Sequence, residues 1–272
     1  MLSNVLPMTA RNSGPSNPDN AILIAGVSKT FDTRGGAVKA LDNVSLNLRG
    51  GEFVSVVGPS GCGKSTLLTI LAGLKKASTG KVTIGATPVN GPFKNSGIVF
   101  QKDVLMEWRT ALDNILLQVE LRGLRKKDYV DRALDLLAKV NLQDFANKYP
   151  RELSGGMRQR VSICRALIHD PPILLMDEPF GALDALTRDE ISADLTRICE
   201  ETGKTVVFIT HSIAEAVHLS DRVIVMSARP GKIIDDIRID LPRPRQIQVR
   251  DTPEFGLYAQ RIRAKLMAPQ AP

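Results

Sequence analysis

Gly58-Pro59-Ser60-Gly61-Cys62-Gly63-Lys64-Ser65-Thr66 restricts this chain more than any other stretch, because it matches the pattern G-x-x-x-x-G-K-[ST] in full. At ordinary residue usage, a match by chance somewhere in a chain of this length has a probability of about 1%. An apolar run, Phe53 to Val57, precedes the motif, and Leu67, Leu68, Leu71 and Leu74 follow it at helical spacing. A glycine loop between a buried strand and a helix aims successive backbone N–H groups and the helix N-terminus at one point, which makes an anion site suited to phosphates. Lys64 adds a point charge for the β- and γ-phosphates, and the Ser65 hydroxyl is placed to hold Mg²⁺. Such a loop needs a strand buried on both faces.

The rest of the chain supplies that setting. Short β-rich runs at Ala21 to Val27, Leu41 to Leu48 and Phe53 to Val57 are separated by turns at Gly35-Gly36 and Gly50-Gly51, and strands resume at Lys81 to Ile84 and Gly97 to Phe100. From Ala111 to Arg165 the pattern is helical, with Leu112, Ile115, Leu116 and Val119 on one face. Ile173 to Met176, Val206 to Ile209 and Val223 to Met226 are continuous apolar runs, as in parallel strands covered on both sides, with helical stretches at Leu186 to Cys199 and Ala214 to Leu219. The order predicts an α/β fold with a parallel sheet, interrupted by an inserted helical subdomain. No repeat of 20 to 50 residues is visible.

Composition narrows the classes further. The 272 residues are 43% hydrophobic, enough for a substantial core, yet no apolar run approaches the roughly 18 to 20 residues that cross a bilayer. Three widely spaced cysteines, Cys62, Cys164 and Cys199, indicate neither a disulfide framework nor a zinc site. Residues 1–20 lack apolar periodicity and are expected to form a disordered tail. The formal charge is +7, and Arg238 to Lys265 holds seven bases against three acids. A second basic cluster is Arg122, Arg125, Lys126 and Lys127. Runs of this kind are ordinarily solvated faces; the functional alternative is contact with anionic lipid or an acidic partner.

A nucleoside triphosphatase also needs one carboxylate near the metal and another to act on water. Ile173-Leu-Leu-Met176-Asp177-Glu178 places both at the end of a buried strand, Asp177 for Mg²⁺ through its water shell and Glu178 as general base. Leu153-Ser154-Gly155-Gly156-Met157-Arg158-Gln159-Arg160 then offers a second anion site, with Ser154 capping the helix that follows.

That octapeptide closely resembles the signature of ATP-binding cassette (ABC) ATPases, and the resemblance extends from Ala21 to about Asp240. It implies a P-loop NTPase (RecA-like) core with an N-terminal antiparallel β subdomain and an inserted helical subdomain over about 102–162, with 241–272 a basic extension. It implies MgATP held between the phosphate loop of one copy and Ser154, Gly155, Gly156 and Gln159 of a second, in a head-to-tail homodimer. Gln101 resembles the Q-loop glutamine that senses Mg²⁺ and the γ-phosphate, Asp184 the D-loop aspartate that faces the opposite site, and His211 the switch histidine at the γ-phosphate. Phe31 aligns with the aromatic that stacks on adenine, core packing being the alternative. His169 and His218 match no motif.

A cassette with no span of its own implies transmembrane permease subunits as partners, indirect contact with a periplasmic or extracellular solute-binding protein, and a peripheral place on the cytoplasmic face of the inner membrane. Gln101 to Asn114, with Trp108, and Met226-Ser-Ala-Arg229-Pro230-Gly231, then Leu241-Pro-Arg-Pro244, resemble the nitrate, sulfonate and taurine uptake group, although Glu107 stands where that group usually has Pro. Thiamine-precursor uptake cassettes look similar. The resemblance also implies that Trp108, with Leu112, Ile115 and Leu116, lines a groove for a short helix of the permease; subdomain core is the other reading of those aliphatics. The competing classes are a soluble ABC ATPase acting on nucleic acid or ribosomes and an exporter motor. About 90 residues between Ser65 and Ser154 leave no room for the long insertion of the nucleic-acid relatives, so no nucleic acid is expected.

Overall fold

The computed structural model describes residues 17–181 and 183–268. Of the tail expected over 1–20, residues 1–16 lie outside the described residues, and 17–20 are ordered instead. Pro18–Asn20 form a single 3₁₀ turn in which Asn17 Oδ1 accepts from the Asp19 N–H at 3.1 Å, and Thr205 Oγ1 donates to Asn20 O at 3.1 Å. A proline in the first turn has no N–H to leave unpaired, so this sequence favours an ordered start.

Strands β1 (Ile22–Thr33) and β2 (Gly36–Leu48) form an antiparallel hairpin, Ile22 opposite Leu48 and Thr33 opposite Gly36, across the Gly35-Gly36 turn. β3 (Phe53–Val57) leads into α1 (Lys64–Leu71). β4 (Thr79–Ile84) and the short β5 (Thr87–Pro88) complete a four-stranded sheet in the order β2-β1-β4-β5. β6 (Ser96–Val99) then opens the helical insertion, α2 (Ala111–Leu121), α3 (Val130–Lys139) and α4 (Gly155–Leu167). The remaining elements are β7 (Ile173–Asp177), α5 (Ala185–Thr202), β8 (Thr205–Ile209), α6 (Ile213–Leu219), β9 (Arg222–Met226), β10 (Ile233–Arg238) and α7 (Pro253–Met267).

The second sheet runs β10-β9-β3-β8-β7-β6, parallel from β6 to β9, with β10 antiparallel at its edge. All five residues of β3 are buried, and their alternation divides the interior into three cores. Phe53 joins the core shared with α2, α3, α4 and α5, whereas Val54 and Val56 face the core between the two sheets and α1. Val57 belongs to a third core closed by α6, α7 and β10. Ile115 and Leu116 are buried in the first core, so the apolar face read from periodicity is subdomain interior.

The basic runs are largely consumed within the fold. Arg125 pairs with Asp128 at 2.9 Å, Lys126 with Glu120 and Asp113, and Arg122 Nη2 lies 2.7 Å from His169 Nε2. Farther on, Arg243 pairs with Asp221 at 3.0 Å, Arg250 with Asp189 at 2.7 Å, and Arg261 and Lys265 with Asp235. Arg245 is buried, and its guanidinium donates to the carbonyls of Val217, His218, Ser220, Ile239 and Leu241, which lie at the C-terminal end of α6 and just after β10. Carbonyls at a helix end have no intrahelical donor, and a buried cation there satisfies several at once. Arg245→Met keeps the apolar stem and removes every donor. Bonds to a charged group contribute about 1.5 to 3 kcal/mol each, so this variant should melt at least roughly 5 °C lower by differential scanning calorimetry.

Candidate active site

Parallel strands bring their carboxyl ends to one rim, where an open α/β sheet binds its ligands. β3, β8, β7 and β6 are adjacent there, and Asp177, the last residue of β7, lies opposite Ile209, the last of β8. Gly63 closes the glycine loop as the N-cap of α1 at φ 105°. A Cβ at that position would sit 2.8 Å from Ala40 O, so the sharp turn requires glycine. No side chain caps α1, which leaves its first N–H groups to a ligand. Lys64 is 5% exposed, and its Nζ donates to Gly58 O at 2.9 Å and Pro59 O at 3.1 Å. Arg229 braces the loop from outside, Nε and Nη2 donating to Gly61 O at 3.2 and 3.0 Å. Cys62 is buried, and burial pushes its thiol up, so it is packing rather than a nucleophile.

Ser65 Oγ donates to Asp177 Oδ1 at 3.0 Å. A hydroxyl and a carboxylate in contact beside an uncapped helix end fit a hard cation that shares its oxygens with phosphate. Burial raises the Asp177 carboxyl above its ordinary value, and Glu178 adds to the rise, while the Ser65 hydrogen bond and Lys64 oppose it.

Glu178 follows in the left-handed region at φ 45°, a conformation costing about 1 kcal/mol or more outside glycine. Its N–H donates to Ile209 O at 2.9 Å, and its carbonyl accepts from Gly181 N at 3.1 Å. The bend delivers Glu178 Oε2 to Gln101 Nε2 at 3.1 Å and to within 3.5 Å of His211 Nδ1. Three residues expected to act together therefore meet at one carboxylate oxygen. Phe31 is half-buried on β1, with Lys29 and Lys75 Nζ at 5.2 and 4.8 Å from its ring centroid. It offers its ring to charge rather than to the core.

The signature residues form a separate surface. Ser154 Oγ accepts from the Met157 N–H at 3.3 Å and caps α4, and Asp184 Oδ1 accepts from the Thr187 N–H at 3.0 Å and caps α5. That N–H is also what holds the Asp184 carboxyl below its usual range. A Cβ on Gly156 would meet Thr187 Cγ2 at 2.5 Å, so the two helix starts touch. Gln159 is not exposed with Ser154 and Gly155: it is 5% exposed, three residues beyond the buried Gly156 and so on the same inward side of α4. Among the described residues, no hydrogen bond joins the Ser154 group to Lys64, Ser65, Asp177 or Glu178.

Sequence reasoning missed the residues that hold these loops. Asp103 accepts from Arg158 Nε at 2.8 Å, and Arg165 donates to Asp103 O and Val104 O at 2.7 Å each, tying the segment after Gln101 to α4. Asn114 binds Met106 N and O together with Arg109 O and Thr110 O, and so sets the turn carrying Trp108. Buried Glu215 accepts from Thr210 Oγ1 at 2.5 Å beside His211, and burial raises its carboxyl. Ser212-Ile-Ala-Glu215 has the spacing of a capping box, the one local signal that could have singled it out. His169 and His218 are both lowered to about 4, by burial first and neighbouring arginines next, and take no part in the site.

The glycine cradle, the paired carboxylates and the second helix-capping surface define an ATP-hydrolysing cassette, and the comparisons agree. Residues 41–181 match the ABC transporter family, to which this chain belongs. An uncharacterised ABC transporter ATP-binding protein of Methanocaldococcus jannaschii is 48% identical over 241 residues, 89% of each chain. A taurine import ATP-binding protein of Rhizobium johnstonii is 46% identical over 85% of this chain and 90% of its own. An aliphatic sulfonates import ATP-binding protein of Bacillus cereus is 46% identical over 82% and 88%. A dimeric bacterial ABC transporter cassette superposes with a TM-score of 0.73 at 38% identity, covering 80% of this chain and 98% of that one, and a post-hydrolysis dimer with ADP and Pi gives 0.72 at 37% over the same shares. The protein is an ABC-type ATPase.

A raised carboxyl stabilises the fold only while protonated: its contribution is complete below the unfolded value, about 3.9, and is lost as pH rises through the folded one. Ionised Asp177 therefore works against the nucleotide-free fold at neutral pH. Asp177→Asn, which can still accept from Ser65, should raise the melting temperature at pH 7 without nucleotide, by a margin that shrinks below pH 4, while ATPase activity is lost.

Proposed function

We propose that this chain is the motor of an importer for small sulfonate-like or nitrate-like anions, working as a homodimer with ATP between the phosphate loop of one copy and Ser154, Gly155 and Gly156 of the other. The observation that carries the chemistry is the single oxygen, Glu178 Oε2, shared by Gln101 and His211. Lys64 and the α1 N-terminus hold the phosphates, and Phe31 gives the adenine a flat face. Ser65, Gln101 and, through water, Asp177 would hold Mg²⁺. When bound, that ion neutralises charge on the β- and γ-phosphates. Glu178 accepts the proton of the attacking water as its oxygen bonds to the γ-phosphorus and the bond to ADP breaks. His211 keeps that carboxylate and the γ-phosphate in register. Asp184 reaches toward the second copy.

The permease side is supported by an open cavity of about 370 Å³ between the sheet core and the helical insertion, walled by Leu74, Phe100, Val104, Met106, Leu117 and Leu121. It uses the side of α2 opposite to the buried Ile115 and Leu116. Trp108 is 74% exposed on the adjoining Met106–Arg109 turn. Phe100 and Val104 flank Gln101, so an occupant of the groove would feel the γ-phosphate sensor move. No helix among the described residues is long and apolar enough to cross a membrane, in keeping with a peripheral subunit held at the cytoplasmic face by its permease. A solute-binding protein would then act from the far side. The sulfonate-like class rests on the two import relatives. Most bases of the C-terminal segment are paired within the fold, which weighs against reading that run as a nucleic-acid surface.

Glu178→Gln should still bind ATP and accumulate a dimer on gel filtration, with hydrolysis lowered by roughly 10² to 10⁴-fold, as for a lost general base. Wild-type turnover would remove Glu178 from that role. Trp108→Ala, assayed with the assembled permease in vesicles, should abolish solute uptake while the isolated chain keeps its basal ATPase. Loss of both together would place Trp108 in the fold rather than at the permease.

A further inference from the structure

The basic C-terminal segment is not a free tail. Between β10 and α7 it crosses the ends of the two helices that begin with Asp184 and directly after His211. On the switch side, α6 is gripped at its C-terminal carbonyls: Arg243 Nη2 donates to Leu219 O at 2.6 Å, and Arg245 Nη1 to Val217, His218 and Ser220. On the D-loop side, Arg250 Nη1 donates to Asp189 Oδ1 at 2.7 Å, one turn into α5. The two helices are also joined directly. Glu215 of α6 lies 3.5 Å from Arg188 Nε of α5, and Arg188 Nη2 donates to Leu183 O within the D-loop at 2.8 Å. The same Glu215 holds Thr210, whose Oγ1 accepts from Ser212 N at 2.9 Å on the other side of His211. Hydrogen bonds from the C-terminal segment thus reach both helices, and the Arg188–Glu215 ion pair joins those helices to each other.

We propose that residues 241–251 form a strap that fixes the switch-histidine loop and the D-loop relative to each other, with Arg250 and Glu215 as its positioning residues. This rests on the roles assigned above to His211 and Asp184. Neither Arg250, in the strap, nor Glu215, in α6, would touch nucleotide. Each acts through a helix whose first turn carries a loop aimed at phosphate or at the second copy. Arg250 is partly exposed and its partner Asp189 more so, which suits a residue that sets an orientation better than one that holds the fold together. The buried Glu215 is the inner anchor, because its two oxygens serve different loops: Oε2 the switch loop and Oε1 the D-loop helix.

The test uses the full chain and steady-state MgATP hydrolysis. Arg250→Met should lower kcat about 5- to 10-fold with KM for MgATP within about twofold, the pattern of an interaction that matters in the transition state rather than in binding. Its melting temperature should stay near that of the wild type. The charge-swapped pair Arg250→Asp with Asp189→Arg should regain at least half the wild-type kcat, as a coupled pair requires. Glu215→Gln, which still accepts from Thr210 but loses the ion pair with Arg188, should show the same kcat-only defect. An unchanged kcat in Arg250→Met, or a folded charge-swapped variant with no recovery, would overturn the strap. His211→Ala and Asp184→Ala serve as controls. If they too hydrolyse ATP normally, the assigned loop roles have failed; if they lose activity while Arg250→Met does not, the strap alone has failed.

Discussion

Burial of β3 on both faces is the constraint on which the rest depends. All five of its residues are inside, β8 and β9 pair with it in parallel, and its alternation feeds three separate cores. A strand in that position can end only at the rim, and the chain must turn sharply there before α1. Gly63 allows the turn where any Cβ would strike Ala40. Because β6, β7 and β8 run the same way, Gln101, Asp177, Glu178 and His211 reach the same rim from distant parts of the sequence. Chemistry at this site is a consequence of strand direction.

The site also carries local costs that the fold absorbs. Glu178 adopts a left-handed backbone, and Asp177 is a carboxylate whose burial opposes its charge. Both features fit a ligand that brings positive charge and fixed geometry, as magnesium-bound phosphate does. Around the rim, arginines convert loop positions into helix positions. Arg158 and Arg165 bind the segment after Gln101 to α4, so a shift of that segment would carry α4, which begins at Ser154, with it. Between α5 and α6 the link is looser, an ion pair of Arg188 with Glu215 at 3.5 Å.

Much of this was legible in the sequence, for a physical reason. Close approach of backbone to phosphate admits glycine and little else, and doubly covered strands demand unbroken apolar runs, so Gly58 to Thr66, Met176-Asp177-Glu178 and Val206 to Ile209 declare themselves. The groove-lining side of α2 was not legible. Periodicity identifies Ile115 and Leu116 as one apolar face but cannot say that this face is interior while Leu117 and Leu121 line the open groove. Gln159 was misplaced for a similar reason, since a motif fixes spacing and the helix decides which side faces in. The basic run from Arg238 to Lys265 was ambiguous because a guanidinium satisfied by backbone carbonyls, as in Arg245, leaves no mark in the pattern of side chains. Order at residues 17–20 was missed because an Asn-Pro turn and a flexible tail share the same composition.

In the proposed homodimer, two copies complete each ATP site, the phosphate loop of one against Ser154 of the other. The direct measurement is disulfide trapping in the Glu178→Gln background with Ser60→Cys and Ser154→Cys, both exposed positions, while Cys62, Cys164 and Cys199 are buried. With MgATP a cross-linked dimer should form rapidly, and none should form with ADP or without nucleotide. A chain that binds MgATP yet stays monomeric, or cross-links equally well without it, would rule out ATP sites shared between two copies.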